Sequence, residues 1–241
     1  MKPMTMVWCV LPCVLLTGCL KDGIDPPDAG GPTLEVRFTF HRNGVPFQLD
    51  STCTDGFGTR VRFTHMRFAL RGADLLGDQG QLLDKWPGAL LFADLAAPST
   101  TYLLANPAQG EVHWVDSRTC TNADATECQS LWIARPDAPF LAVLDAEGIV
   151  DSDNNGHFDP TDAPFRITVA PDDLDPALRI HAHAVVRSTG RSVLEIPVNV
   201  AGLLHDIDLP DGPITVGEGP YATQALLNLR TRVLGDDHRP Q

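Results

Sequence analysis

Apolar and polar side chains alternate with a period of two in Arg60-Val-Arg-Phe-Thr-His-Met-Arg-Phe-Ala-Leu70. Successive side chains of a β-strand point to opposite faces of the sheet, so this spacing predicts a strand with one buried face. An earlier segment, Leu34-Glu-Val-Arg-Phe-Thr-Phe-His41, alternates in the same way and is followed by the turn dipeptide Asn43-Gly44. Together the two segments predict the opening strands of a β-sheet.

Shorter strand-like segments recur along the chain and are separated by Pro, Gly and Asp. Helical spacing of apolar residues is confined to Tyr221–Leu234, which Gly235 would end, and a shorter helical turn is expected at Val200–Leu204. This pattern predicts a mainly β chain, as an antiparallel β-sandwich or a barrel-like single domain with a short C-terminal helix. The further predicted strands are Ala89–Leu95, Phe140–Leu144, Phe165–Val169, Ile180–Arg187 and Ser192–Val200.

The first residues have the features of a secretion signal. After Lys2, the apolar run over residues 6–16 is shorter than the about 20 residues that a membrane-spanning helix needs. Leu16-Thr-Gly-Cys19 resembles a bacterial lipobox, which implies cleavage before Cys19 and acylation of that residue. We therefore expect a lipoprotein signal peptide over residues 1–18; an uncleaved anchor or a simple secreted protein is the alternative.

The residues after Cys19 bear on location and domain organisation. Leu20 and Lys21 follow it, without the Asp that would favour retention at the inner membrane, so we expect an outer-membrane anchor. The rest of residues 19–32 is rich in Asp, Pro and Gly and has few apolar side chains, which predicts a flexible tether. Residues 33–241 are long enough for one sizeable β domain.

Three cysteines remain besides the signal peptide and the acylated residue. In an oxidising compartment, Cys120 and Cys128, which bracket a short polar segment, are expected to form a disulfide. Cys53 is then left over. It is a buried inert thiol, a partner of one of the other two cysteines, or a soft ligand for copper.

Charge and motifs exclude several classes of function. The net charge of −13 at pH 7 argues against a nucleic-acid partner, because phosphate is repelled by an acidic surface. The sequence contains no Gly-x-Ser-x-Gly elbow, no His-Glu-x-x-His and no phosphate-binding loop. It also lacks Cys-x-x-Cys-His, the attachment motif of covalently bound haem. We therefore expect a protein that is not an enzyme.

A calcium-loop spacing occurs in Asp151-Ser-Asp-Asn-Asn-Gly-His-Phe-Asp-Pro-Thr-Asp162. Oxygen ligands stand at loop positions 1, 3, 5, 9 and 12, with glycine at position 6 for the sharp turn. Pro160 and Pro164 argue against a helix leaving the loop, and a solvated acidic turn is the alternative. The candidate calcium ligands are the side chains of Asp151, Asp153, Asn155, Asp159 and Asp162 and the carbonyl of His157.

A second metal signal comes from histidine spacing. His181 and His183 are separated by one residue in a predicted strand, so their imidazoles point to the same face, with the two residues about 6–7 Å apart at the backbone. Such a pair can chelate one Cu, Zn or Ni ion. The tryptophans, by contrast, are expected to pack rather than to bind metal. They are Trp86, Trp114 and Trp132.

The two opening strands, their Gly44-Val-Pro-Phe47 turn and two later segments resemble the MbnP-like proteins. The later segments are Leu91–Pro98 and His181–Leu209, the second with its histidine-containing strand and final strand and turn. This resemblance implies a copper-associated envelope protein and a dihaem peroxidase-like partner. It adds His41 and His65, and less closely His205, to the candidate copper ligands.

Two functional hypotheses follow from the sequence. The first is a copper-binding lipoprotein with histidine ligands and calcium as a structural brace. The second is an adhesion or scaffold module whose calcium loop is stiffened at the cell surface, without copper chemistry. Copper binding that depends on His181 and His183 would distinguish the first from the second.

Overall fold

A computed structural model describes residues 31–55, 57–97, 101–119, 143–169, 177–209, 214–216 and 220–235. Several predictions fall outside these residues. They are the signal peptide, nearly all of the tether with Cys19, the Cys120–Cys128 disulfide, Trp132 and most of the predicted strand Phe140–Leu144. Within the described part of the chain, no helix has both the length and the apolar character required to cross a membrane.

The described residues form twelve strands and a short helical region near the C-terminus. Helix α1 (Pro220–Asn228) continues into a π-helix at Leu229–Val233, and a 3-10 helix covers Val200–Leu204. The strands are β1 (Thr33–Arg42), β2 (Val45–Pro46), β3 (Thr52–Thr54), β4 (Arg60–Leu76), β5 (Leu82–Asp94), β6 (Thr101–Ala105), β7 (Gly110–Thr119), β8 (Leu144–Val150), β9 (Ala163–Val169), β10 (Ala177–Val186), β11 (Arg191–Asn199) and β12 (Ile214–Val216).

The smaller of the two sheets is organised around β1. Strand β11 pairs with β1 in parallel, from Thr33 opposite Arg191 to His41 opposite Asn199. On the other edge of β1, β6 and β2 pair antiparallel with its first and last residues. The parallel partner follows β1 by about 150 residues in sequence, so local alternation could not have indicated it.

The larger sheet is organised around β4, which is 17 residues long. Its strand order is β10-β7-β4-β8-β9-β12, and β3 and β5 also pair with β4. The first half of β4 pairs with β8 and its second half with β7, all antiparallel. One long strand therefore joins the two parts of the molecule that carry the candidate metal sites.

Apolar side chains of both sheets form one buried cluster between them. The rings of Phe38 in β1 and Phe68 in β4 meet edge to face with centroids 5.6 Å apart. Those of Phe63 in β4 and Phe165 in β9 meet in the same way at 5.5 Å. Edge-to-face contact is a favourable packing of aromatic rings. These rings lie on the buried faces of their strands, as period-two alternation predicts.

The predicted fold class is confirmed, since the chain is mainly β with predominantly antiparallel pairing and a short C-terminal helix. The strand predicted at Arg60–Leu70 is real but extends to Leu76. The predicted helix over Tyr221–Leu234 changes from α to π hydrogen bonding after Asn228. Strand β7 was not predicted, because its apolar residues Val112 and Val115 break the alternation.

Candidate metal centres

The calcium-like loop connects two antiparallel neighbours, β8 and β9, whose last registered pair is Val150 opposite Ala163. Asp151 and Asp162 directly follow and precede that pair, so the strand pairing itself brings the two carboxylates together. Asp151 is 1% exposed and Asp162 is 8% exposed, whereas Asp153 lies at the surface. One carboxylate oxygen of each lies within 4.8 Å of the other two.

Backbone donors hold the two buried carboxylates of this loop. Asp151 accepts hydrogen bonds from the N–H groups of Asn155 at 3.1 Å and Gly156 at 2.9 Å. Asp162 accepts them from the N–H groups of Ser152 at 3.1 Å and Asp159 at 2.8 Å. Loop positions 1 and 12 are therefore fixed from both sides, as a wrapped cation loop requires.

Glycine is required at position 6 of the loop. Gly156 has φ +85°, a left-handed conformation that L side chains rarely adopt. A Cβ at this position would also lie 2.6 Å from the guanidinium Nη1 of Arg60. The sequence-based reason for this residue is thus confirmed by the backbone.

The remaining predicted loop ligands take part in the same hydrogen-bond network. The Asn155 side chain donates to Asp153 at 2.7 Å and accepts from the N–H of His157 at 2.7 Å. Asp159 accepts from the N–H and hydroxyl of Thr161, and these bonds lower the pKa of its carboxyl group. The loop thus concentrates four carboxylates, with Arg60 Nε 4.0 Å from Asp151, and this arrangement suits a hard cation.

A second cluster forms where β7 pairs with β10. His181 is opposite Trp114 and Ala184 is opposite Val112, so two residues of β10 face one residue of β7, His113. This is a β-bulge, which locally disrupts the ladder and re-aims side chains.

The bulge places His183 beside two residues of β7. Its Nε2 lies 2.9 Å from Oε1 of Glu111, and Nε2 of His113 lies 3.5 Å from the same oxygen. The two imidazole rings meet edge to face, with centroids 5.2 Å apart. Each residue offers a ligand atom, and these atoms all lie within 4.8 Å of one another. Two imidazoles and one carboxylate form a donor set suited to a transition metal.

The electrostatics of this cluster favour the charged carboxylate. The hydrogen bond from His183, and then the charge of His113, lower the pKa of Glu111. Glu111 and His183 are more than half exposed. A metal bound here would therefore keep coordination positions open to solvent.

The two histidines predicted as a pair have different surroundings. His183 joins the cluster, whereas the His181 ring packs edge to face against Trp114, with centroids 4.9 Å apart. Both residues lie on the exposed face of β10, as their spacing predicts. In the described part of the chain, His181 is not in a group of three or more ligand side chains.

The other three candidate histidines lie apart from this cluster. His41 is the penultimate residue of β1, opposite Pro46 and Asn199. His65 is 14% exposed, and its Nε2 lies 3.2 Å from a carboxylate oxygen of the buried Asp145. His205 is about half exposed and contacts Asp206 at 2.9 Å. Among the residues that the structure describes, none of the three belongs to a group of at least three potential ligands.

Sequence reasoning missed Glu111 and His113. The available signal was Glu-x-His, since residues two apart in a strand share a face. Glu-x-His indicates a shared face only when the segment is known to be a strand, and β7 was not predicted.

Cys53 and the described tryptophans do not contribute to either cluster. Cys53 is a free, fully buried thiol, and burial raises its pKa to about 12. Trp86 packs against the apolar cluster and Trp114 against His181, in line with the packing expected for both.

Comparison with known proteins gives little further information. No protein-family model matches the chain, and no curated protein matches it. Among solved structures, MbnP from Methylosinus trichosporium aligns with 75% of this chain and 82% of that chain, at 11% sequence identity and a TM-score of 0.39. A TM-score this low limits the likeness to a distant one of fold, so a functional assignment has to rest on the residues of this chain.

Proposed function

We propose that this chain is a metal-binding protein of the bacterial cell envelope that binds copper at Glu111, His113 and His183 and calcium in the acidic loop. One observation carries the proposal. Two strands bring three ligand side chains together, with the Glu111 carboxylate 2.9 Å and 3.5 Å from the two imidazoles. The proposal retains the predicted ligand His183 and replaces its predicted partner His181 with His113.

The donor set gives a reason to name copper. Imidazole and carboxylate ligands bind divalent first-row metals in the Irving–Williams order, in which Cu²⁺ is bound most tightly. Metal–ligand bonds of about 2.0–2.2 Å place neighbouring ligand atoms about 3 Å apart. The observed separations of 2.9 Å and 3.5 Å are close to that value, and the exposed side chains can adjust to a bound metal. Open coordination positions favour a site that exchanges its metal with solvent or a partner over one that stores it permanently.

Calcium would act as a brace for the β8–β9 connection. Its carboxylates repel one another without a cation, and Asp151 and Asp162 are buried. Binding to the folded state alone stabilises a protein by about 2.7 kcal/mol when the free ion is at 100 times its Kd. We therefore expect calcium to raise the melting temperature without taking part in copper binding.

A calcium-stiffened scaffold module without copper chemistry is the second candidate. The observation that favours it is the hydrogen-bonded arrangement of Asp151 and Asp162, which does not depend on the histidine cluster. A copper titration decides between the two candidates.

In the test, tag-free full-length protein is titrated with Cu²⁺, and binding is measured by calorimetry and from the visible spectrum. Loss of a side chain that only supports a metal ligand weakens metal binding by about 10–100-fold. His183 is proposed as a ligand itself, so we expect His183→Ala to weaken copper binding by more than about 100-fold. His181→Ala is the matched control, because this residue lies on the same strand face and contacts Trp114 instead. Equal losses in the two variants, or copper binding unchanged in His183→Ala, would contradict the proposed ligand set.

Membrane anchoring and partners are part of the proposal and come from the sequence. Acylation of Cys19 would place the domain at the membrane, and Cys19→Ala should release the protein from the membrane fraction. The dihaem peroxidase-like partner implied by the family resemblance stays a prediction, as does the absence of enzymatic activity.

A further inference from the structure

We propose, resting on the copper site above, that Asp78 is a positioning residue for His113. Its carboxylate accepts the Nδ1–H of the imidazole and leaves Nε2 facing the metal. Metal-binding histidines almost always donate their second ring N–H to a carboxylate, a carbonyl or water, which fixes the tautomer and the ring orientation.

The His113 ring lies between two carboxylates. Its Nδ1 is 4.0 Å from Oδ1 of Asp78, while its Nε2, on the other side of the ring, is 3.5 Å from Oε1 of Glu111. Glu111 also contacts His183, whereas Asp78 lies outside this group of ligand atoms. The two carboxylates therefore have different roles, one toward the metal and one toward the opposite ring nitrogen.

The sheet register places Asp78 next to His113. Leu76, the last residue of β4, is opposite Trp114, the neighbour of His113 in β7. The turn that follows is closed by hydrogen bonds from the N–H of Gly77 to the carbonyl of Gln81 and from the N–H of Gly80 to the carbonyl of Gly77, both at 2.9 Å. Asp78 therefore lies in a short, hydrogen-bonded turn that directly follows the pair Leu76–Trp114.

The remaining gap can be closed by side-chain rotation. Asp78 is 81% exposed and lines an open groove of about 460 Å³ with Gln79, Gly80, Trp114 and Arg179. A hydrogen bond needs the donor and acceptor to approach to about 2.7–3.2 Å, which is about 1 Å closer than observed. The open groove leaves room for that movement.

The experiment compares Cu²⁺ affinity in the full-length protein and in Asp78→Asn, Asp78→Ala and Asp78→Glu. Loss of the positioning bond should weaken copper binding by about 10-fold or more in Asp78→Ala, and Asp78→Glu should recover part of that loss. Asp206→Asn removes the same charge from an exposed loop and is the matched control. A loss that disappears at high salt would indicate a general charge effect and would overturn the positioning role.

A spectroscopic measurement makes the test independent of affinity. In protein loaded with diamagnetic Zn²⁺, the Nδ1–H proton of His113 should give an NMR signal protected from exchange with water, and Asp78→Ala should remove it. If the wild-type protein binds neither metal, the proposed copper site fails. If it binds copper and Asp78→Ala changes neither the signal nor the affinity by more than about twofold, only the role of Asp78 fails.

Discussion

The acidic loop and the strand cluster are built in opposite ways. The loop draws all its candidate ligands from twelve consecutive residues, Asp151 to Asp162. The cluster joins Glu111 to His183, which are 72 residues apart. The loop buries two carboxylates and holds them with backbone N–H groups, whereas Glu111 and His183 are more than half exposed.

This difference determines what each site depends on. Pairing of β8 with β9 is enough to close the loop, since Asp151 and Asp162 flank the last registered pair. The cluster depends on the register of β7 with β10 and on one bulge in it. A change in that register should therefore abolish copper binding and leave calcium binding intact.

The largest expected effect comes from deleting Ala182, which removes the bulge and leaves the pairs on either side in register. His183 would then lie directly opposite His113, without the offset toward Glu111 that the bulge gives it. We expect copper affinity to fall by more than about 100-fold, because loss of a residue that only supports a metal ligand already costs about 10–100-fold. Calorimetry with copper measures this loss, and the calcium-dependent rise in melting temperature should persist. Retained copper binding would show that the cluster does not depend on the bulge.

The next largest effect is expected at the loop. Asp151→Ala removes the acceptor of the N–H groups of Asn155 and Gly156. A hydrogen bond to a charged group is worth about 1.5–3 kcal/mol, so the free energy of unfolding should fall by a similar amount. Calcium should no longer stabilise the variant, because one of its ligands is lost. Urea unfolding with and without calcium measures both effects. A copper affinity reduced in parallel would contradict the independence of the two sites.

A smaller effect is expected from pH. The folded-state pKa of Glu111 lies below its ordinary value of 4.5, so its carboxylate contributes stability above that value, and the contribution is lost as pH falls through the lowered pKa. The difference in unfolding free energy between the wild type and Glu111→Gln should therefore be present at about pH 5 and vanish in more acidic solution. Glu195→Gln, on the exposed face of β11, is the control. A difference that grows toward acidic pH would have the wrong sign.

The smallest effect is expected at Cys53. Burial raises the pKa of the thiol to about 12, so it is neutral near pH 7, and its full burial separates it from ions and reagents in solution. Cys53→Ala should leave copper affinity unchanged, and peptide mapping after alkylation of the native protein should find this residue unmodified. Rapid native-state alkylation would restore Cys53 as a candidate soft ligand.

Much of the fold could be predicted from local patterns. The strand over Leu34–His41 and the core of β4 followed from period-two alternation, and Gly235 marks the helix end as expected. The parallel pairing of β1 with β11 could not be predicted, because no residue spacing within either strand records its partner. Strand β7 was missed because its alternation is interrupted between Val112 and Val115.

For the candidate sites too, local spacing predicted some features and missed others. The spacing of Asp151, Asp153 and Asp162 predicted side chains that the structure brings within 4.8 Å of one another. The spacing of His181 and His183 correctly predicted a shared face, yet the bulge gave the two imidazoles different neighbours. Regular strand geometry predicts a face but not an irregularity in the ladder.

The sequence by itself determined the β class, the position of the acidic loop and the need for glycine at position 156, since each depends on the conformation of neighbouring residues. Only the tertiary structure decided that His183 lies with Glu111 and His113, and that Asp78 approaches the far side of His113. The physical reason is that these contacts depend on strand register, which is set by packing and hydrogen bonds between distant segments.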